Sequence, residues 1–588
     1  MKHFTKAVGS LLCVVALTLT CFGGCVNQNS PGNSSSGTSK TESTTSTPSG
    51  NTSSVSAPGD PSESSSSISV PSNPFDSGSS ESSSGGKVPG NSSGAADQED
   101  DFGSFIDSRI LQFDNTKVTN ADFGGTSFLY SGYHFHPDDI TKSFTEQELQ
   151  WEIDKVLSMG ISMVRANFYI SWVWDYTNNR YDYNTEDMEG FYRFAEILKK
   201  NNIKLALVIN EHINNSFDGR QGPFVILAGG QDPDKCAEEA GKFAADFVQE
   251  VIINRKFDNI EYFEMFTEPG NEVYGLGNEA MKNRFDRHLK VFKAIHEELT
   301  ARGLRKKIKI MGPNISMTHV VEPYITYSLS WLRWTVEYAD EYVDVYSIHT
   351  YSRVTVTDDD YEHWLTFLDL VSEVIKPTGK RLCVDEFGYD DPRYDIDDLY
   401  NGPFYDPLAS VHYATAYIAF MNNGLVSNAT IWSLADEKWP RTIRNGAEFK
   451  EGVQMTGVAI PNIRNSIKLK PAYYLLSALG RAIQRGCQTY AGESIESGAY
   501  GTLVKNPDGS QSLVVVNIGL TSMECTYQFS KSLNGATLYK YVFDQSVTAS
   551  KYDKPLAVKK TFQSVKTEFT DTLKAYTVAI YTTKKLYP

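Results

Sequence analysis

Beyond Asp101 the chain alternates short β-branched or apolar runs with longer amphipathic segments, at intervals of roughly 35 to 45 residues. Eight runs read as strands: Phe123 to Tyr130, Ser162 to Phe168, Lys204 to Asn210, Ile260 to Phe266, Ile308 to Gly312, Val343 to Ile348, Arg381 to Glu386 and Asn428 to Ser433. The segments between them carry helical signals. Thr145-Glu146-Gln147-Glu148 forms a capping box ahead of Leu149, Ile153, Val156 and Leu157, which recur at helical spacing. Phe191, Phe194, Ala195 and Leu198 make a stripe that runs into Lys199-Lys200, whose charges suit a helix C-terminus. Repeated β-α units predict a parallel sheet covered by helices, and eight strands are the number that closes a TIM barrel. An open doubly wound sheet would show the same alternation, so the chemistry at the strand ends has to separate the two.

After Lys470-Pro471-Ala472-Tyr473-Tyr474 and one more helix to about Arg485, the pattern turns all-β. Leu513 to Asn517, Ala536 to Phe543 and Tyr576 to Thr582 read as strands, and Asn506-Pro507-Asp508-Gly509 as a hairpin turn. The expected fold class is therefore α/β: a TIM (β/α)8 barrel over residues 101–485 with a C-terminal all-β sandwich domain over 486–588. Upstream, residues 26 to 98 are dominated by Ser, Thr, Gly, Pro and Asn, with almost nothing apolar to bury. Such composition predicts a disordered tether over residues 25–100. Residues 1–24 pair a basic start at Lys2 and Lys6 with a short apolar run from Leu11 to Leu19, which predicts an export signal rather than a membrane span. With Phe22-Gly23-Gly24 before Cys25, the segment resembles a bacterial lipoprotein signal, which implies lipidation of Cys25 and an extracellular body anchored to the cell membrane. Phe22 departs from the usual Leu, and an ordinary signal cleaved nearby also fits.

The 588 residues carry 55 Lys+Arg against 72 Asp+Glu, a net charge of −17, which argues against nucleic acid and leaves the N-terminal lipid anchor as the expected membrane contact. A neutral ligand suits the body better. Aromatics make up 12% of residues, which fits stacking on sugar faces and is equally accounted for by an aromatic core. Of seven cysteines, Cys13, Cys21 and Cys25 lie in the leader, while Cys236, Cys383, Cys487 and Cys525 remain. They show no CxxC or Cys/His spacing, so no structural metal is expected, and no cofactor motif is present. Cys487 and Cys525 either pair or stay as buried thiols.

In a barrel of this kind the active site lies at the C-terminal strand ends, so polar residues closing an apolar run matter most. The fourth run ends Met265-Phe266-Thr267-Glu268-Pro269-Gly270 and the seventh Cys383-Val384-Asp385-Glu386-Phe387-Gly388. Each puts a carboxylate at the mouth. Glycosidic cleavage with retention needs one carboxylic acid to protonate the leaving oxygen and one carboxylate to attack the anomeric carbon, about 5 to 5.5 Å apart. A Glu before Pro at strand four, a Glu before an aromatic and Gly at strand seven, and Trp432 at strand eight resemble the clan A retaining glycoside hydrolases, over about residues 108 to 485.

That resemblance implies Glu268 as acid/base, Glu386 as nucleophile, Arg165 as the arginine that keeps the nucleophile ionised, and Trp432 as a sugar platform that Trp439 extends. It also places a His or Tyr at the end of strand six, where His349 and Tyr351 stand two residues apart and so on one face. Thr267 departs from the pattern, since the clan carries Asn there to bond the sugar 2-hydroxyl, and a hydroxyl replaces a two-atom amide. Glu211 and His212 after strand three, and Asp436 and Glu437 after strand eight, are further candidates for substrate hydroxyls. Glu264 and Glu272 stand close enough to Glu268 for a shift of register to exchange roles, but neither precedes Pro. The Pro-Ala-Tyr-Tyr helix and terminal β-domain resemble the accessory sandwich of β-xylosidase-type members. The expected activity is retaining hydrolysis of β-linked glycosidic bonds in extracellular polysaccharide or oligosaccharide. The alternative, prompted by Thr267, is a carbohydrate-binding lipoprotein on the same barrel that has lost turnover.

Overall fold

The computed structural model describes residues 107–588 except 131–145, 210–221, 271–277, 318–323, 354–359, 391–405, 440–441, 445–446, 450–451, 455–456, 461–467, 495–497 and 551–553. The expected signal, Cys25, the tether, Glu211 and His212 lie outside the described residues. No helix among those described is long and apolar enough to cross a membrane.

Eight parallel strands close a barrel: β1 (Thr126–Leu129), β2 (Met163–Phe168), β3 (Lys204–Ile209), β4 (Ile260–Met265), β5 (Lys309–Ser316), β6 (Val345–Arg353), β7 (Arg381–Asp390) and β8 (Val426–Ile431). All eight expected runs are in it, within a few residues of their predicted ends, and β8 pairs with β1 to complete the ring. An open sheet is thereby excluded. Strands covered on both faces read as continuous apolar runs, as Lys-Leu-Ala-Leu-Val-Ile of β3 does. The helix Glu186–Lys200 follows its pattern, with Thr185 accepting from the Met188 amide at 3.2 Å and Lys199 and Lys200 in the last turn. Such a cap contributes about 1 kcal/mol.

One residue from each of β2 to β7, namely Met163, Ala206, Tyr262, Met311, Val345 and Cys383, forms a buried apolar floor inside the barrel. Side chains two residues further on share that inward face. Arg165, Glu264, Ser347 and Asp385 occupy those positions and are all buried, so a charged layer rests directly on the floor.

The second domain is a mostly antiparallel sheet of ten strands curled about its own core, which includes Leu503, Leu513, Val515, Tyr527, Phe569 and Tyr581. Its path is Lys560–Val565, Ala536–Phe543, Thr577–Thr582, Gln511–Asn517, Ala499–Lys505, Cys487–Ser494, Asp107–Phe113, Met523–Phe529 and Glu568–Leu573, with Asn120–Phe123 beside Cys487–Ser494. Two of these strands come from the wrong end of the expected boundary. Asp107–Phe113 pairs parallel with Met523–Phe529, placing Leu111 and Phe113 in the sandwich core, and Asn120–Phe123 pairs with Cys487–Ser494. The barrel therefore starts after Phe123 rather than at 101. Such pairing across more than three hundred and sixty residues leaves no local sequence signal. The Asn506 turn is present, with the Gly509 amide donating to the Asn506 carbonyl at 3.0 Å and Gly509 at φ +83°. Cys236, Cys383, Cys487 and Cys525 are buried free thiols, so Cys487 and Cys525 do not pair.

Candidate active site

Three local departures from regular strand build the site. On β6 and β7, Ile348 pairs with Val384 but His349 pairs with Glu386, which leaves Asp385 as the extra residue of a β-bulge. Alternation from Cys383 turns Asp385 inward, and the bulge lets the next residue, Glu386, face the mouth as well. A second bulge makes Asn314 the extra residue of β5 against β6. After β4, Phe266 and Glu268 take left-handed backbone at φ +68° and +45°, a conformation that costs of order 1–3 kcal/mol for a non-glycine residue. The Glu268 amide is held by the Asn314 carbonyl at 3.0 Å, and the Asn314 amide side chain donates to Glu264 Oε2 at 2.8 Å and to the Phe266 carbonyl at 3.3 Å. Asn314 thus braces the turn that aims Glu268.

Arg165, only 1% exposed, is the hub. Its Nη1 lies 3.2 Å from Glu386 Oε2, and its Nη2 lies 3.2 Å from Glu264 Oε2 and 3.4 Å from Asp385 Oδ2. Burial alone would lower its pKa, but the Glu264, Asp385 and Glu386 carboxyls outweigh that and hold the guanidinium charged. His349 is fully buried and bridges two carboxyls, with Nδ1 2.9 Å from Glu268 Oε1 and Nε2 3.1 Å from Asp385 Oδ2. Its Nδ1 also lies 3.4 Å from Glu386 Oε2. Burial opposes the imidazolium, yet Glu386 and Asp385 raise its pKa well above the usual histidine range.

The Tyr351 hydroxyl donates to Glu386 Oε1, so both oxygens of that carboxyl have a donor, the other being Arg165. Gly388 makes room for this: a Cβ there would stand 2.8 Å from Tyr351 Cε1. Burial pushes Glu386 above the ordinary carboxylate value despite His349 and Arg165. Glu268 moves the other way, because the His349 hydrogen bond and charge outweigh its burial. One oxygen of Glu268, one of Glu386 and a His349 ring nitrogen all lie within 4.8 Å of one another. The Arg165 guanidinium sets a cation 3.2 Å from Glu386 Oε2, and its Nη2 lies 3.3 Å from His349 Nε2.

The structure thus brings Arg165, Glu268, His349, Tyr351 and Glu386 together. Thr267 sits half-buried between Phe266 and Glu268, and Trp432, half-buried, follows β8 with its amide donating to the Phe387 carbonyl at 2.9 Å. Trp439 lies on a short strand, Glu437–Trp439, paired with Gly452–Gln454 beyond β8. Asp436 is buried, accepts from Lys470 Nζ at 2.9 Å and from the Gly457 amide at 2.9 Å, and ties the segment after β8 to the start of the helix Pro471–Ala482. Sequence reading missed Asp385 and Asn314 as members of the cluster, and gave Glu264 no role beyond a rival for Glu268.

No family profile matches the sequence, and no characterised protein matches it by sequence. Solved structures do match. The α-L-arabinofuranosidase of Thermotoga maritima in complex with arabinose shares 13% identity over 81% of this chain and 99% of its own, with a TM-score of 0.51. The GH51 arabinofuranosidase of Xanthomonas axonopodis pv. citri gives the same identity, coverage and TM-score of 13%, 81% and 99%, and 0.51. The catalytic domain of the GH30 xylanase C of Talaromyces cellulolyticus shares 12% identity over 80% of this chain and 99% of its own, again at 0.51. At such identities the likeness is one of fold: a TIM barrel with a C-terminal β-domain, an architecture that this chain has in common with clan A glycoside hydrolases.

Proposed function

We propose that the protein is a retaining glycoside hydrolase in which Glu386 is the nucleophile and Glu268 the acid/base. The observation that carries this reading is the approach of the two carboxyls to within 4.8 Å at the barrel mouth. That bound is on one oxygen of each carboxyl, and it accords better with the roughly 5 to 5.5 Å between the carboxyl groups of retaining sites than with the roughly 6.5 to 9.5 Å of inverting ones. In the first step a Glu386 oxygen attacks the anomeric carbon as the bond to the leaving oxygen breaks, and that oxygen takes a proton from Glu268. In the second, Glu268 removes a proton from water as it attacks the same carbon, and the ester bond to Glu386 breaks.

The free site holds the first of these protons on the Glu268–His349 pair. His349, raised, and Glu268, lowered, share it across their 2.9 Å bond, so a proton resting on Nδ1 is one hydrogen-bond transfer from the acid. Arg165 and Tyr351 favour the ionised form of Glu386 against its burial, which matches a nucleophile that must lose its charge to become an ester.

The substrate class that fits is an extracellular β-linked glycan or oligosaccharide, and the names of the structural neighbours add pentose-containing chains to the panel worth testing. The N-terminal segment supports a lipid-anchored body held out on a Ser-rich tether through Cys25. Product analysis by mass spectrometry over β-xylosides, β-glucosides, α-L-arabinofuranosides and their polymers tests the activity. Glu386→Gln is expected to abolish turnover, while Glu268→Gln chiefly harms substrates with poor leaving groups and spares activated aryl glycosides. Equal and mild effects of the two would sink the assignment. A glycan that binds but is not hydrolysed, with binding unchanged in Glu386→Ala, would mark a carbohydrate-binding protein instead.

A further inference from the structure

Below the two mouth carboxyls lies a second acid pair that the proposed reaction does not consume. Glu264 and Asp385 are 1% and 0% exposed. Glu264 Oε2 accepts from Arg165 and Asn314, and Asp385 Oδ2 faces Arg165 and His349 Nε2. Their other oxygens, Oε1 and Oδ1, are buried and receive no donor from any other side chain among the described residues. The two carboxyls meet at one nitrogen, since Glu264 Oε2 and Asp385 Oδ2 lie 3.2 and 3.4 Å from the same Arg165 Nη2. Two carboxylates crowded onto one guanidinium nitrogen in a dry site, each with a buried oxygen that no donor reaches, repel each other, and a single proton held between them relieves both costs.

We propose that Glu264 and Asp385 share one proton, and that this pair, carrying a single negative charge toward His349 Nε2, makes Glu264 a positioning residue for proton exchange between His349 and Glu268. The first half of this stands on the two carboxyls at Arg165 Nη2 and their donorless buried oxygens, and the second half rests on the retaining mechanism proposed above. The charged and titratable groups facing the pair are Arg165 from β2, His349 from β6 and the buried Cys383 thiol of β7, with neutral Asn314 from β5. Burial and the Asp385 charge raise Glu264 well above the usual carboxylate range, while His349 and Arg165 hold Asp385 below it against its own burial, so the shared proton belongs to Glu264. An ionised Asp385 then accepts a hydrogen bond from the Nε2–H of His349, which stays on the ring, and leaves Nδ1 to exchange a proton with Glu268. Were both acids ionised, His349 would be locked as imidazolium and Glu268 as carboxylate. Were both neutral, His349 would lose the anion that orients it. Over one turnover the shared proton stays in place: Glu268 gives one proton to the leaving oxygen and regains one from water.

The test begins with infrared spectra of the unliganded full-length protein at about pH 8, far above the ordinary glutamate pKa of about 4.3. A protonated-carboxyl band is expected, displaced when glutamate is isotopically labelled and absent from Glu264→Gln. No band, or a band that Glu264→Gln leaves in place, would overturn the shared proton, and the labelled wild type answers even if the variant does not fold. pH profiles of kcat/KM test the second half. Gln can donate to Asp385 and accept from Arg165 as a protonated Glu does, so Glu264→Gln is expected to lower the amplitude less than tenfold and leave both limbs within about half a unit. Asp385→Asn removes the anion beside His349, and the basic limb is expected to fall by about 1 to 3 units. A purely structural role would lower amplitude in both and move neither limb, which refutes the positioning role, as would equal shifts in the two variants. A band without hydrolysis of any glycoside would refute the proposed function while leaving the shared proton intact.

Discussion

Replacing Arg165 by Met keeps most of the volume and removes the one guanidinium on which Glu264, Asp385 and Glu386 converge. At 3.2 to 3.4 Å and an effective dielectric of about 20, each ionised contact is worth about 5 kcal/mol before desolvation is counted. Because the partners stay buried, the net loss follows the rule for half-broken interior pairs, about 3 to 5 kcal/mol. The pH dependence has a definite sign. Asp385 has a depressed folded pKa, so its contribution in the native protein is present above the unfolded value of about 3.9 and lost as pH falls through the folded one. Without Arg165 the folded pKa values of Asp385 and Glu386 both rise, Glu386 from a level already raised by burial. The folded variant then binds more protons than its unfolded chain, and its penalty is relieved on acidification. Urea denaturation at pH 7 and at about pH 5, read as a midpoint shift at constant slope, should show the larger loss at pH 7. A loss below about 1 kcal/mol, or one equal at the two pH values, would refute a charged layer organised by Arg165.

Tyr351→Phe removes a donor to a buried carboxylate, a bond worth about 1.5 to 3 kcal/mol, so the melting temperature should fall, and kcat/KM should fall by up to roughly 10- to 150-fold as the ionised form of Glu386 loses that support. Gly388→Ala sets a methyl 2.8 and 3.0 Å from two Tyr351 ring carbons; a comparable fall in kcat/KM is expected, together with about 1 to 3 kcal/mol of overpacking, and full activity in that variant would contradict the packing argument. Lys470→Met takes the cation from buried Asp436 and should cost about 3 to 5 kcal/mol, much of it regained in Lys470→Met combined with Asp436→Leu, as measured by thermal unfolding.

The barrel was legible because its strands are covered on both faces. A run such as Leu205 to Ile209 must be continuously apolar, and eight such runs between capped, amphipathic helices admit few arrangements. The sandwich was only half legible. Asp107–Phe113 alternates as an ordinary half-exposed strand, and nothing in its seven residues names Met523–Phe529 as its partner, since pairing over that separation is decided by tertiary packing. Lys560–Val565 has five residues of six at least partly exposed, too polar a run to read as a strand without its neighbour.

The site shows a sharper limit. Two-residue alternation, applied strictly from Cys383 on the barrel floor, directs Asp385 inward and Glu386 outward, which is the reverse of what a motif reading of Asp385-Glu386-Phe387 requires. Both readings hold, because the bulge after Val384 gives two consecutive residues the same side of the sheet: Asp385 keeps the inward position and Glu386 takes the mouth. A bulge is a disagreement between registers of neighbouring strands, so it has no signature in the strand that carries it. The same is true of Asn314, whose extra position on β5 brings its side chain to Glu264 and its carbonyl to the Glu268 amide. Each mouth carboxyl is thus aimed by an irregularity, and each irregularity also delivers a contact to the acid pair beneath: Asp385 itself in one case, the Asn314 bond to Glu264 in the other. Deleting Asp385 would restore regular pairing but drop Glu386 into the layer on the barrel floor, and deleting Asn314 would remove the carbonyl that holds the Glu268 amide, so regular pairing and alignment of the carboxyls are set against each other at these two positions.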